Sequence, residues 1–522
     1  MSVSTVPFQG PPLRLTRPME AIPRWALWFL ALLGLSLGVA TYWNDVILIF
    51  GIAVVLAVPL AVLALYYPHI GVFLIMSTML MSYPAALKGV GPLTINNMLG
   101  LAFVVILAFQ LYKTHDYWFL KEPEIRMLLI IGGWLMLTLL VNTYVLPSVK
   151  HMLPKVRVCA ECTKTYGTVD SQSRWIFELF SRIAFTIFFI NWVKNGKQLR
   201  WALYLIAFCI IAVLPTLGPD LVGGKADFRI TSKLIGWAEN VNRFAFMVNV
   251  GVALFIYLAN IWRSIPMKVI GVAGAIGFVP VILLTASRSG FLGLGLVAFM
   301  LFTGRQIPRR WKAISVIAGI AFALVVWFFV LTPEHRERLL NLNPFNPAVH
   351  AEGTRSTEQR VATLEDAVDI IKRYPLTGVG LANFRWVNMY LHGSWKPPHN
   401  SYVWSASEGG LPCTVLYLIL FAFLFLRIRR IRPRNWNHPV VPYLADWLYL
   451  YMILFMFFSI FADVWLEVHI YFIIAISILL SRWQEEEDAR AFGEGPPVLP
   501  NSPKARRALS RALYARTARA GA

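Results

Sequence analysis

The sequence predicts an all-α fold: a polytopic bundle of about 12 to 14 membrane-spanning helices with one long external loop. Three observations predict it. Of 522 residues, 57% are hydrophobic and 14% charged, whereas soluble domains carry about 25% charged residues. Apolar runs long enough to cross about 30 Å of hydrocarbon at about 1.5 Å per residue recur along nearly the whole chain. One polar stretch, Pro333 to Ser401, interrupts them and ends in Pro397-Pro398-His399-Asn400-Ser401-Tyr402.

The elements follow in order. Segment 1–24 shows no secretory cleavage pattern and is expected to be retained. Apolar spans are expected near 25–43, 46–66, 69–87, 94–112, 126–146, 175–193, 200–218, 241–262, 267–286, 289–304, 312–332, 403–426, 441–462 and 467–482. Alternate loops differ in basic content: one set carries Arg14, Arg17 and Arg24, then Lys113, Lys121 and Arg126, then Lys194, Lys197 and Arg200. The same set continues with Arg263 and Lys268, with Arg305, Arg309, Arg310 and Lys312, and with the cluster from Arg427 to Arg434. Lys and Arg in short loops stay cytoplasmic, so both termini are expected inside, the basic tail from Lys504 to Arg519 included. Stretches 147–174, 219–240 and 333–402 then face outward. The expected division is a bundle over 25–332, an external loop over 333–402, C-terminal spans over 403–482 and a cytoplasmic tail over 483–522.

The net charge of +21 reads mainly as a topology signal and an attraction to anionic lipid headgroups, because the basic residues flank spans. Nucleic acid is not an expected partner. Four cysteines are too few for a disulfide framework. Cys209 and Cys413 fall inside apolar spans as small hydrophobes. Cys159 and Cys162, spaced as Cys-Ala-Glu-Cys in an outward loop, read as a local disulfide in preference to half a metal site.

Within the external loop, Ser356 and Gln359 match a capping box, and Val361, Leu364, Val368 and Ile371 repeat at helical spacing until Pro375. An amphipathic helix is expected, its apolar face on the membrane surface or on the outer ends of the spans, with Arg360, Glu365, Asp369 and Lys372 facing water. Gly378-Val379-Gly380 follows and permits a tight turn.

The candidate site gathers at the outer surface. Arg288, in Leu284-Thr285-Ala286-Ser287-Arg288-Ser289-Gly290, separates two apolar runs at a depth where a cation needs an anionic partner. Arg243 opens the span 241–262, where a helix N-terminus favours an anion; a local pair with Glu239 is the plainer alternative. Two guanidiniums at one depth suit a diphosphate, onto whose oxygens they fork. His399, stiffened by two prolines, is a candidate general base; Asn400 and Ser401 are placed to hydrogen-bond its ring or to cap the next helix. Arg385 is a candidate second donor to the phosphates and Asp463 a candidate orienter of His399. Trp386, Tyr390, Trp395 and Tyr402 suit stacking on sugar rings or anchoring at headgroup level. No Asp-X-Asp metal motif and no Gly-rich lysine loop for ATP appears in the outward segments.

The pieces Leu284 to Gly290, Gly378-Val379-Gly380 with Phe384, and Pro398-His399-Asn400-Ser401 followed by Glu408-Gly409-Gly410 resemble, in this order around one long loop, the O-antigen ligase and polymerase superfamily. The resemblance runs from about Asn240 to Gly410. It implies a cofactor-free, metal-independent, inverting glycosyltransferase of the bacterial inner membrane that uses an undecaprenyl-diphosphate-linked glycan donor on the periplasmic side. Carried over by position, Arg288 is the diphosphate-binding arginine and His399 activates the acceptor, with Arg243 a looser match. Lipid A core, another glycan unit or a protein hydroxyl are the possible acceptors, with a ligase favoured over a polymerase. The competing class is a lipid-linked glycan transporter or flippase, against which stands the absence of a recognisable internal repeat.

Overall fold

The computed structural model describes residues 67–80, 117–142, 172–212, 240–262, 264–304, 351–431 and 441–491, with isolated positions in 104–115 and 312–336. The expected spans 25–43 and 46–66, most of 94–112 and 312–332, the Cys159 to Cys162 loop and the tail from Lys504 lie outside the described residues.

Among the described residues the chain is all helical. Its α-helices are α1 (Pro68–Leu80), α2 (Pro123–Leu140), α3 (Gln172–Trp192), α4 (Gly196–Ile211), α5 (Val241–Ile261), α6 (Ile265–Leu284), α7 (Arg288–Thr303), α8 (Ala351–Arg373), α9 (Phe384–His392), α10 (Ser401–Ile431), α11 (Val441–Phe458) and α12 (Val468–Ala491). Helices α2, α3, α5, α6 and α10 are long and apolar enough to cross a membrane, and α1, α7 and α11 contain shorter apolar helices. Starts are set locally. Asn195 accepts from the N–H groups of Lys197 and Gln198, Asn240 from that of Asn242, and Ser287 from that of Gly290. Each satisfies backbone donors that a helix cannot pair internally.

Helix α5 is the axis of the bundle: 83% of its apolar window is buried, against 33% for α6. It packs on α4, α6, α7 and α11, while α12 packs on α3, α10 and α11 and α10 on α2 and α8. The α5–α6 contact is close because α6 is bare there. A Cβ on Gly271 would lie 2.8 Å from the Ala259 Cβ, and one on Gly274 2.8 Å from the Phe255 ring. Small residues allow such approach where no hydrophobic effect drives helices together in lipid.

The two ends of the bundle are organised differently. At one end, Arg427 on α10 donates from Nε to Glu124 Oε1 at 2.6 Å and from Nη2 to Glu122 Oε2 at 2.6 Å and Glu124 Oε2 at 2.7 Å. Trp118 beside them donates to Asn191 at 2.8 Å and lies 3.7 Å beneath the Arg482 guanidinium. The other end holds the N-termini of α5, α7 and α10, the α11–α12 turn and the helices α8 and α9.

Two expectations for α8 are corrected. The helix begins at Ala351, so Ser356 lies inside it and not at its N-cap position. The side chains it buries are Thr363, Ala367 and Ile370, whereas Val361 and Val368 are exposed. Arg360 does not face open water; it is half-buried beside Arg288 and Asp463. The face that packs on α10 is one third of a turn away from the one that apolar spacing alone selects.

Candidate active site

A break in α10 builds the floor of the site. Pro412 lacks an N–H, which frees the Glu408 carbonyl, and Gly410 adopts φ 73°, ψ 174° inside the helix. The backbone groups freed at the break, two acceptors and one donor, are paired by the turn after α8. Val379 N donates to Ser407 O at 2.8 Å, Gly380 N to Glu408 O at 2.8 Å, and Leu411 N to Pro375 O at 2.8 Å. Trp134 Nε1 on α2 reaches Gly409 O at 2.7 Å. Only glycine fits at Gly378, where φ is +57° and a Cβ would lie 2.5 Å from the Glu408 carbonyl. Gly378-Val379-Gly380 and Glu408-Gly409-Gly410, far apart in sequence, are thus two halves of one backbone joint.

The turn between α11 and α12 is the second scaffold. Ser401 N donates to Ser459 O at 2.8 Å, Ser401 Oγ donates to Ala462 O at 2.7 Å, and Ser401 Oγ accepts from Val464 N at 2.8 Å. Tyr417 OH donates to Trp465 O at 2.9 Å and Asn242 Nδ2 to Phe461 O at 3.2 Å. Asn242 in turn accepts from Ser287 Oγ at 2.7 Å, which ties the turn carrying Arg288 to the same place.

On this frame His399 meets Asp463. The ring Nδ1 lies 3.2 Å from Asp463 Oδ2, with 24% of the His399 side chain and 5% of the Asp463 side chain exposed. The ring is open to a reactant and the carboxylate is shielded behind it. The contact is at ion-pair distance without hydrogen-bond alignment: among the described residues, His399 Nδ1 and Asp463 Oδ1 have no hydrogen-bond partner. His399 has φ +51°, a conformation non-glycine residues seldom hold. Burial pushes the Asp463 carboxyl up, but His399, Arg243 and Arg385 more than offset it and hold it below the ordinary carboxylate value.

The arginines divide by what they touch. Arg243 Nη1 pairs with Glu467 Oε1 at 2.8 Å and Nη2 donates to the Asp463 carbonyl. Arg182 on α3 donates to the Leu466 carbonyl, pairs with Glu178 at 2.9 Å and approaches Glu467 at 3.9 Å. Arg243 is therefore bound within the turn, and its partner is Glu467; the alternative, Glu239, lies outside the described residues. Arg288 stands at the first turn of α7 and acts electrostatically on Arg360. Burial lowers the pKa of Arg360, the Arg288 charge lowers it further, and Asp463 opposes both. Arg385 acts on Asp463 and lies 6.0 Å over the Trp404 ring. Like charges gathered at a half-buried site favour a polyanionic visitor.

Of the residues singled out in the sequence, Asn400 serves as the cap of α10, its Oδ1 accepting from Tyr402 N and Val403 N at 3.0 Å. Tyr402 packs on Tyr417 and Phe421 and donates to Met456 O at 3.2 Å, so it is no open stacking platform. Arg360 and Glu467 are members that sequence reading missed. Arg360 left a trace: it shares one helical face with Leu364, Ala367 and Ile371, and a cation on an apolar face is an anomaly. Glu467 left none.

Residues 273–418 match the family model described as O-Antigen ligase. No curated protein matches the chain. The matched segment contains Arg288, Arg360, both halves of the backbone joint, Arg385 and His399, and leaves Arg243, Asp463 and Glu467 outside it. Over that segment the chain is similar to the O-antigen ligase family, membrane enzymes of ligase and polymerase type.

Proposed function

We propose that this protein is a membrane glycosyltransferase that moves a glycan from an undecaprenyl-diphosphate donor to a hydroxyl acceptor at the outer face of the bacterial inner membrane, as an O-antigen ligase rather than a polymerase. The observation that carries this reading is the His399–Asp463 pair standing beside Arg288 and Arg360.

In this reading Asp463 accepts from Nδ1 of His399 and fixes the tautomer whose Nε2 is basic. The 3.2 Å contact becomes a hydrogen bond by a small rotation of the ring as substrates seat. Nε2 takes the proton of the acceptor hydroxyl while its oxygen forms a bond to the anomeric carbon of the donor sugar. The bond from that carbon to the diphosphate oxygen breaks on the opposite face, and the configuration inverts. The electron pair leaves on undecaprenyl diphosphate, whose charge Arg288 and Arg360 hold, with Arg385 nearby. Arg243 is assigned a supporting role, holding the Asp463 carbonyl and Glu467 in place.

The test is glycan transfer by purified protein from an undecaprenyl-diphosphate-linked glycan to lipid A core. His399→Ala and Arg288→Ala are each expected to lower the rate by roughly 10²-fold or more. Full activity in both variants overturns the mechanism. Movement of donor across vesicles without covalent transfer establishes a transporter instead, and elongation of the donor glycan establishes a polymerase.

A further inference from the structure

Helix α8 carries an apolar stripe that the protein covers only in part, Leu364 and Ile371 being half-buried. Val361, Leu364, Val368 and Ile371 follow one another on one flank and lead to Pro375 and Leu376; Val361 is 46%, Val368 41% and Leu376 68% exposed. Lys372 and Glu365 border the stripe on its far side, and both are exposed. The stripe does not end at Leu376. Leu411 N donates to Pro375 O at 2.8 Å, and from Leu411 (49% exposed) a second exposed apolar row descends α10 through Val415, Leu418, Ala422 and Leu426. That row follows helical spacing on a helix long and apolar enough to span the membrane, so its outward face is the lipid-facing one.

We infer that α8 lies along the bilayer surface on the site side, with Val361, Leu364, Val368 and Leu376 seated in the lipid of that leaflet, in continuity with the lipid-facing row of α10. The occupant follows from that continuity. An apolar flank bordered by charge is the pattern of a helix resting at the boundary of headgroups and acyl chains. The placement also has a consequence for depth. Arg360 adjoins Val361 on the same helix, and the joint from Pro375 to Gly380 adjoins Leu376, so the lipid surface fixes both at the level where lipid phosphates lie. This placement rests on burial and hydrogen bonding and holds whether or not the transfer reaction is the right one.

Nitroxide labels test it in the full chain reconstituted in nanodiscs of phosphatidylethanolamine and phosphatidylglycerol. Cys159→Ser and Cys162→Ser provide the background, Cys209 and Cys413 being buried. Single labels are introduced by Val361→Cys, Val368→Cys, Leu376→Cys, Glu365→Cys and Lys372→Cys; Leu364→Cys replaces any stripe variant that does not yield folded protein. Collision with oxygen, which concentrates in lipid, is compared with collision with a water-soluble nickel chelate. The oxygen-to-nickel ratio is expected to be several-fold higher at the three stripe positions than at Glu365 and Lys372. Equal ratios at all five positions place α8 in water and overturn the inference. Protection of Val361 and Val368 from both reagents shows that protein covers the stripe, and also overturns it.

Discussion

Arginine is used in opposite ways at the two ends of this bundle. Arg427 is closed: three of its hydrogen bonds go to two glutamates, Glu122 and Glu124, the second of them 1% exposed. At the other end, Arg243, Arg360 and Arg385 act on the carboxylate of Asp463, which is also the partner of His399, and Arg288 acts on Arg360. A buried cation whose hydrogen bonds are taken up by carboxylates of another helix end holds helices together. A cluster of several guanidiniums around a half-open histidine raises the local positive potential, which is the environment the proposed diphosphate site requires.

Four substitutions break or sharpen this contrast. Arg427→Ala leaves the buried Glu124 without its partner and is expected to destabilise the protein by about 3–5 kcal/mol. Thermal unfolding in detergent measures this, and activity per folded molecule should be unchanged. Arg360→Gln is expected to do the reverse: a transfer rate lower by roughly 10²–10³-fold, about 2.7–4 kcal/mol in the transition state, with a melting temperature equal to or above that of the unmodified protein. Relief of repulsion from Arg288 is the reason for that sign.

Gly378→Ala lies between the two. Its Cβ would press on the Glu408 carbonyl at 2.5 Å with φ at +57°, a strain of about 1–3 kcal/mol, so stability and rate should fall together. The smallest effect is on pH dependence. Asp463 is held below its ordinary value, so its stabilising contribution is complete above the unfolded pKa of about 4 and is lost as pH falls through the lowered folded value. Asp463→Asn should flatten that acid limb of the unfolding curve and, separately, lower the transfer rate. An unchanged acid limb would refute the electrostatic role given to the carboxylate.

Part of the candidate site's geometry was legible beforehand. His399 was marked by its prolines at a helix start, and Arg288 by its place between apolar runs; both stand at the same end of the bundle, His399 before α10 and against Asp463 of the α11–α12 turn, Arg288 tied to that turn through Ser287 and Asn242. Arg243 shows the limit of such reasoning. A guanidinium at a helix N-terminus is compatible with an anionic ligand or with a glutamate, and the glutamate, Glu467, lies 224 residues away. Arg360 was assigned to the wrong environment because apolar spacing identifies a helical face without saying whether lipid or protein lies against it.

What the sequence determined by itself is what local physics decides: apolar runs that cannot remain in water become helices, and Asn195, Asn240, Ser287 and Asn400 start them where their side chains accept backbone N–H groups. What only the tertiary structure decided is which distant groups meet. The glycine turn closes on the α10 break because each supplies the hydrogen-bonding groups that the other leaves unpaired. The Asp463 turn reaches His399 because Ser401 holds it on both sides. Such pairings depend on how helices pack, and no spacing along the chain records them.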